Sequence, residues 1–304
     1  MTDEFPYRSP AALRAALTDR LRTLAASAPF TVTELHRQFA YDRLLARVFS
    51  ARDAERWVLK GATALLARLA VARHSKDVDL SWRPAVDIDE AEQAFRTAAG
   101  RDLGDFFVYD IGVATSLVGD KGRRFPVVAG IGGRPFVTFS VDLVAGLSMT
   151  APPEMVSPLV ADGIPGLLRV DYRAYPLVDH IADKVSACLE THVRDDGTIT
   201  VSSRYKDLVD LVLIAWTQRP IAVELRRALL SETGRRGVAL PLEFAVPGPL
   251  WPSGYEAKAS EVAQLGELRR FTAGLTLVKT MLDPVLAGTV KGWWDPAKST
   301  WVGP

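Results

Sequence analysis

Six residues, Asp77-Val78-Asp79-Leu80-Ser81-Trp82, alternate polar and apolar without a break. In an extended chain residues i and i+2 share a face, so a strand buries Val78, Leu80 and Trp82 on one side. A helix would scatter the same three side chains around its axis. The strand predicted over Asp77–Trp82 therefore presents Asp77, Asp79 and Ser81 together on the other face. Two carboxylates held that close repel each other unless a cation lies between them or one stays protonated. A second alternating run, Phe136–Val144, sets Thr138, Ser140 and Asp142 against Val137, Phe139, Val141 and Leu143. Placed beside the first strand, it would bring Asp142 to the acidic pair.

The surrounding pattern is mixed. Pro10 opens a run in which Leu13, Leu17 and Leu21 recur at helical spacing, and a second helix is expected from about Thr33 to Phe49. Thr31 or Thr33 would cap it, with Leu35, Phe39, Leu44, Leu45 and Val48 facing the core. Trp57–Leu59 reads as a strand, Thr63–Leu69 as a short helix, and Ile88–Ala99 as a helix with acidic residues at its positive end. Strands are expected over Phe106–Ile111, Arg124–Ile131 and Pro135–Leu143. A hairpin turn at Gly119–Gly122 puts Lys121, Arg123 and Arg124 at a basic tip. Residues 151–175 are rich in proline and glycine and read as a connection. Helices follow over Leu177–His192, Tyr205–Thr217, Ile221–Glu232 and about Ala257–Leu282. The layout is an α/β half over residues 1–150, then a linker and helical domain over 151–304.

Composition narrows the class of protein. A net charge of +1 over 304 residues excludes a bulk polyelectrolyte field, so any nucleic-acid contact must come from local patches. No apolar run is long enough to span a bilayer, and the first residues lack a signal pattern. The single cysteine, Cys188, falls in an apolar helical pattern and reads as an inert buried thiol. These features point to a cytoplasmic protein without a membrane partner. His74, His180 and His192 have no zinc-type spacing. The absence of a Walker-A loop and of a G-x-S-x-G elbow excludes P-loop NTPases and α/β-hydrolases.

Two charges fall where apolar residues are expected. Helical geometry places Lys184 in the stripe of Leu177, Ile181, Val185 and Cys188, and Asp210 lies inside Leu208–Ile214. An unpaired buried charge is costly, so each needs a partner or a cavity. Lys184 is one candidate partner for Asp210, and Arg204 and Lys206 are others. The competing reading of Lys184 is a stem that covers core surface while its ammonium reaches water. Asp207 reads as a surface ion pair with Arg204. The turn Lys60-Gly61-Ala62-Thr63 joins a strand to a helix, where backbone N–H groups and the Thr63 hydroxyl can hold a phosphate. Arg73 and Lys76 could neutralise phosphate charge. Trp293, Trp294 and Trp301 could stack on bases, although core packing accounts for them more simply.

The order Lys-Gly-small-Thr, Ser-Lys-Asp-x-Asp, a helical lysine, and then Arg-x-x-Asp-Leu-x-Asp-Leu resembles the AbiEii/AbiGii family. These are nucleotidyltransferase-like toxins of bacterial toxin–antitoxin and phage-defence systems, and they include the mycobacterial MenT toxins. The resemblance spans residues 60–211 and implies a polymerase-beta-type nucleotidyltransferase core with a mixed sheet, N-terminal helices and a helical C-terminal half. It implies that Asp77 and Asp79 bind Mg²⁺ and that Gly61 and Thr63 form the triphosphate turn. Ser75 and Lys76 match the residues just before the acidic pair. Lys184 would meet the nucleotide, and Asp207 and Asp210 match the Asp-Leu-x-Asp motif. Asp142 as third carboxylate is read from strand alternation alone. The chain departs from the family at Ala62, where a second flexible residue is usual; a positive φ there would strain the turn.

The implied reaction transfers NMP from an NTP to RNA, the tRNA 3′ end above all, with a cognate antitoxin as protein partner. In it Asp142 would position the metal that activates the attacking hydroxyl, and Asp210 would orient Lys184. A non-catalytic nucleotide- or protein-binding module that retains the fold is one alternative. A transferase acting on a protein acceptor is the other.

Overall fold

The alternation over 77–82 is a strand of that length in the computed structural model of the protein, which describes residues 5–69, 73–84, 87–117, 122–160, 164–193 and 199–303. The chain divides into two units. The first comprises residues 1–70, 74–148 and 153–174, and the second 71–73, 149–152 and 175–304.

In the first unit, helices α1 (Pro10–Ala25) and α2 (Val32–Phe49) precede the sheet. Ser9 caps α1, and Thr31 caps α2 in a capping box with Glu34, which satisfies donors left open at a helix start. Then follow β1 (Trp57–Lys60), α3 (Gly61–Arg68), β2 (Asp77–Trp82), α4 (Ile88–Ala99), β3 (Phe107–Ile111), β4 (Thr115–Ser116), β5 (Gly122–Ile131), β6 (Arg134–Ala145), β7 (Glu154–Val156) and β8 (Tyr172–Ala174). The eight-stranded sheet has the order β3-β5-β6-β2-β1-β8-β7, with β4 paired to β5. Its β2–β6 and β1–β8 pairs are parallel, and the others are antiparallel. Val78, Leu80, Val141, Leu143, Phe125 and Trp82 are buried on the apolar face, which leaves the opposite face for the acids.

The expected connection over 151–175 instead supplies β7 and β8 to the sheet. Asp42 on α2 explains why. Its carboxylate accepts bonds from the Leu159 and Val160 amides at 2.8 and 2.9 Å and from the Tyr172 hydroxyl at 2.6 Å. Burial pushes the Asp42 carboxyl up to about 6 despite those bonds. The prolines shape this segment without releasing it.

The second unit holds α5 (Leu177–Leu189), hairpin β9 (Thr191–Val193) and β10 (Ile199–Val201), α6 (Tyr205–Thr217), α7 (Ala222–Arg236), α8 (Trp251–Ala259) and α9 (Phe271–Ala287). Hairpin β11 (Trp293–Asp295) and β12 (Thr300–Val302) follows. The single helix expected over about 257–282 is broken by a 3₁₀ stretch, Ala263–Arg269, in which Gly266 leaves helical geometry at φ 54°. Val262, Leu265, Leu268 and Phe271 recur every third residue, a spacing that suits 3₁₀ better than α. Trp294 is fully buried and donates Nε1–H to the Ala215 carbonyl, while Trp301 donates to that of Met281. Trp294 and Trp301 are packing residues, and Trp293 sits under the Arg219 guanidinium. Among the described residues no helix is long and apolar enough to cross a membrane. Cys188 is buried, and burial raises its pKa well above the usual thiol range.

Candidate active site

Strand register brings the first cluster together. Asp79 lies opposite Asp142 across the parallel β2–β6 pair, and Asp77 lies opposite Ser140. The antiparallel neighbours extend the row, with Lys60 on β1 opposite Asp79 and Arg124 on β5 opposite Asp142. Four charged positions thus cross the sheet in the order cation, acid, acid, cation. Asp77 occupies the next row on the same face, because two positions along a strand restore the side.

Local contacts fix the acids. The Ser75 hydroxyl donates to Asp77 Oδ1 at 2.7 Å, and the Thr63 hydroxyl donates to the Asp77 carbonyl at 2.7 Å. Tyr41 in turn donates to the Ser75 carbonyl at 3.1 Å. Thr63 is therefore a clamp on the backbone of the acidic strand, with its hydroxyl already engaged. Lys76 is exposed. Both oxygens of Asp142 accept bonds from Arg124, at 2.7 and 2.6 Å. That hydrogen bond first, then the charge of Asp142, and to a smaller degree Asp77 and Asp79, raise the Arg124 pKa. Arg124 is thus a strand residue facing the acids, and Arg123 pairs with Asp89 at 3.4 Å, so neither forms a hairpin tip. Residues 119–121 of the expected turn, with Lys121, lie outside the described residues.

Gly61 carries the strain of the turn. Its φ is 58°, and a Cβ built there would overlap the Asp79 carboxylate. Positive φ falls on Gly61 and not on Ala62, which is an ordinary buried residue of the first turn of α3. The concern over Ala62 is removed: the position that needs glycine has it. Gly61→Ala should lose about 1–3 kcal/mol of stability to strain and displacement. It should cost on the order of a hundredfold in activity, because a displacement of about 1 Å at the reacting groups has that effect. Melting curves and single-turnover rates measure the two. Ala62→Gly should change activity little, and its cost in stability should not exceed about 1 kcal/mol.

In the second unit, Lys184 on α5 is buried and paired with two carboxylates. Nζ donates to Asp207 Oδ1 at 2.9 Å and to Asp210 Oδ2 at 2.6 Å, both on α6. Arg73 closes on Asp210 with two bonds at 2.9 and 3.0 Å, and Arg204 donates to Asp207 at 2.7 Å. The Arg204–Asp207 pair forms as expected, but its carboxylate is buried rather than at the surface. Burial is the largest influence on Lys184 and opposes its charge, yet Asp210 and then Asp207 outweigh it and raise its pKa. Burial likewise opposes ionisation of Asp207, and Lys184 and Arg204 overcome it to lower that pKa.

The first cluster fits a hard divalent cation in part. Among the described residues no three His, Cys, Asp or Glu side chains converge as a ready-made metal site, since Asp142 is turned to Arg124. Mg²⁺ does not need such a cage: it takes one or two carboxylates plus substrate phosphate oxygens and water. Asp77 and Asp79, fixed by Ser75 and by the Gly61 turn, supply that pair.

The family model described as "Nucleotidyl transferase AbiEii toxin, Type IV TA system" matches residues 43–276, which include every charged residue of both clusters. The chain belongs to the AbiEii family. It is a nucleotidyltransferase toxin of a type IV toxin–antitoxin system. Among solved structures it is similar to MenT4, a nucleotidyltransferase toxin of Mycobacterium tuberculosis, at 17% identity and a TM-score of 0.51. That match covers 90% of this chain and 98% of the other. It is also similar to JHP933 of Helicobacter pylori at 16% identity and a TM-score of 0.46, over 86% of this chain and 94% of that one. At this identity the MenT4 likeness establishes the mixed α/β fold. A comparison with curated protein sequences found no match.

Against this AbiEii frame, the sequence leaves Lys60 and Arg124 without a place beside the acids. Their positions come from pairing β1 and β5 into the row, and no local pattern carries that pairing.

Proposed function

We propose that this AbiEii toxin transfers a nucleoside monophosphate from an NTP to an RNA hydroxyl, with the 3′ end of tRNA as acceptor. The acceptor oxygen forms a bond to the α-phosphorus, the bond from that phosphorus to the bridging oxygen breaks, and pyrophosphate leaves. The observation that carries the reading is the Asp77–Asp79 pair on one strand face, set against the Gly61 turn and in register with Asp142. Asp77 and Asp79 are the residues that would hold Mg²⁺, which when bound offsets charge on the phosphates and polarises them.

The chain's own groups do the rest. Ser75 holds one oxygen of Asp77, so the carboxylate keeps a fixed orientation. Asp142 extends the acidic row by one strand and is the third residue that would hold the metal, on the side of the attacking hydroxyl. Exposed Lys76 offers an ammonium to phosphate oxygens. In the second unit, two carboxylates engage two of the three donors of Lys184, and the third is assigned to the nucleotide. Asp210 aims that ammonium, and Arg73 holds Asp210 instead of meeting phosphate directly. The acceptor identity rests on family resemblance. The proposed setting is the cytoplasm, with a cognate antitoxin as partner.

The test is to incubate the purified protein with total tRNA, Mg²⁺ and each labelled NTP in turn, alongside Asp77→Ala. Label in tRNA that vanishes in the variant is the expected result. Label in a protein instead would move the acceptor. NTP binding without transfer to either would replace the enzyme with a binding module.

A further inference from the structure

The proposed chemistry leaves Arg124, at one end of the charge row, unexplained. Arg124 grips both oxygens of Asp142 in a fork, with Nε to Oδ1 at 2.7 Å and Nη2 to Oδ2 at 2.6 Å. A carboxylate held this way is a poor partner for a dication, and a fixed positive charge beside it repels one. Yet the grip is at the surface: the Arg124 side chain is 48% exposed and that of Asp142 14%. With its side chain half exposed, Arg124 can swing its guanidinium toward a ligand in solvent without leaving its strand. The same planar fork that matches a carboxylate also matches a phosphate.

We infer that Arg124 is a counter-ion exchanged on substrate loading. In the empty protein it neutralises Asp142, which faces Asp79 across the β2–β6 pair. When a nucleoside triphosphate arrives with its divalent ion, the guanidinium passes to a phosphate and Asp142 turns to the ion. Arg124 thereby suppresses metal binding in the absence of nucleotide and favours it in its presence. This inference rests on the reading of Asp77 and Asp79 as a divalent-metal pair.

The experiment measures Mn²⁺ binding to the full, nucleotide-free chain by electron paramagnetic resonance of the free ion. Wild type is compared with Arg124→Gln, Arg124→Gln/Asp142→Asn and Asp77→Asn, with folding checked by thermal melting. Loss of the neighbouring charge in Arg124→Gln should tighten Mn²⁺ binding about tenfold. Adding Asp142→Asn should remove that gain. The α,β-methylene nucleoside triphosphate that wild type binds most tightly should bind Arg124→Gln about tenfold more weakly, for want of a charge-assisted fork. Unchanged Mn²⁺ affinity in Arg124→Gln, with binding still lost in Asp77→Asn, overturns the exchange and leaves the metal reading standing. Unchanged analogue affinity overturns the phosphate as the destination of the guanidinium. Mn²⁺ binding that ignores Asp77 in every form overturns the exchange and the metal reading together.

Discussion

Asp105→Ala is expected to lose about 3–5 kcal/mol of stability, the effect of removing one partner from a buried ion pair. Its carboxylate is fully buried, and Arg47, equally buried, donates to it at 2.6 and 3.0 Å. Arg43 adds a bond at 2.7 Å. Without Asp105, two guanidinium groups on α2 would remain buried with no counter-charge, held by the carbonyls of Leu168, Arg43 and Phe107 and, for Arg47, by the face of Tyr109. Against a typical domain stability of about 5–15 kcal/mol this is a large fraction. The melting midpoint should fall by roughly 10 °C or more. A triple variant, Arg43→Met/Arg47→Met/Asp105→Leu, should recover most of the loss, because well-packed apolar groups often replace a buried ionic cluster without penalty. If the single and triple variants melt alike, packing rather than uncompensated charge accounts for the loss.

The sign of the pH dependence is fixed as well. Burial is the largest influence on Asp105 and favours its neutral form, but the Arg47 hydrogen bond and the Arg43 charge prevail and lower its pKa. A lowered carboxyl contributes stability above its unfolded value, near 3.9, and loses it as pH falls through the folded one. The gap between wild type and Asp105→Ala should therefore be full at pH 7 and narrow only below about pH 4.

How much of this was legible in sequence depends on the range of the interaction. The alternation over 77–82 names both faces of β2, because strand geometry is local, and it gives the acidic pair without knowledge of the fold. Asp142 is legible from the same rule applied to β6, and its register with Asp79 confirms the pairing of the two strands. The buried charges of α2 are another matter. Periodicity finds Leu35, Phe39, Leu44, Leu45 and Val48, but Asp42, Arg43 and Arg47 are also inside, since this helix is covered on more than one side. Their partners lie far along the chain, at Asp105 and in the segment reaching Tyr172, so no spacing rule connects them. The broken helix near Gly266 was available in the period-three spacing that begins at Val262, a signal that a search for helical stripes absorbs.

Lys184→Met should abolish nucleotidyl transfer and also lose roughly 3 kcal/mol of stability, because its removal leaves two buried carboxylates one turn apart. Full burial between Asp207 and Asp210 makes both losses large. The two effects separate in Lys184→Met/Asp207→Asn. That variant keeps Asp210 with its two bonds to Arg73, and the guanidinium it frees, Arg204, is 64% exposed and returns to water cheaply. Charge is then balanced inside, so most of the stability should return. If Lys184 contacts the nucleotide, transfer stays absent, while Asp207→Asn alone retains it at a reduced rate. Transfer that returns with the melting midpoint would make Lys184 a purely structural cation. The pH profile adds an independent readout. Lys184, with its pKa raised, contributes stability below its unfolded value near 10.4 and loses it only as pH rises through the folded one. Asp207, with its pKa lowered, contributes above about 3.9 and loses it as pH falls. Lys184 and Asp207 are therefore both charged across the neutral range, and the rate profile of the wild type should show no limb from Lys184 below about pH 10.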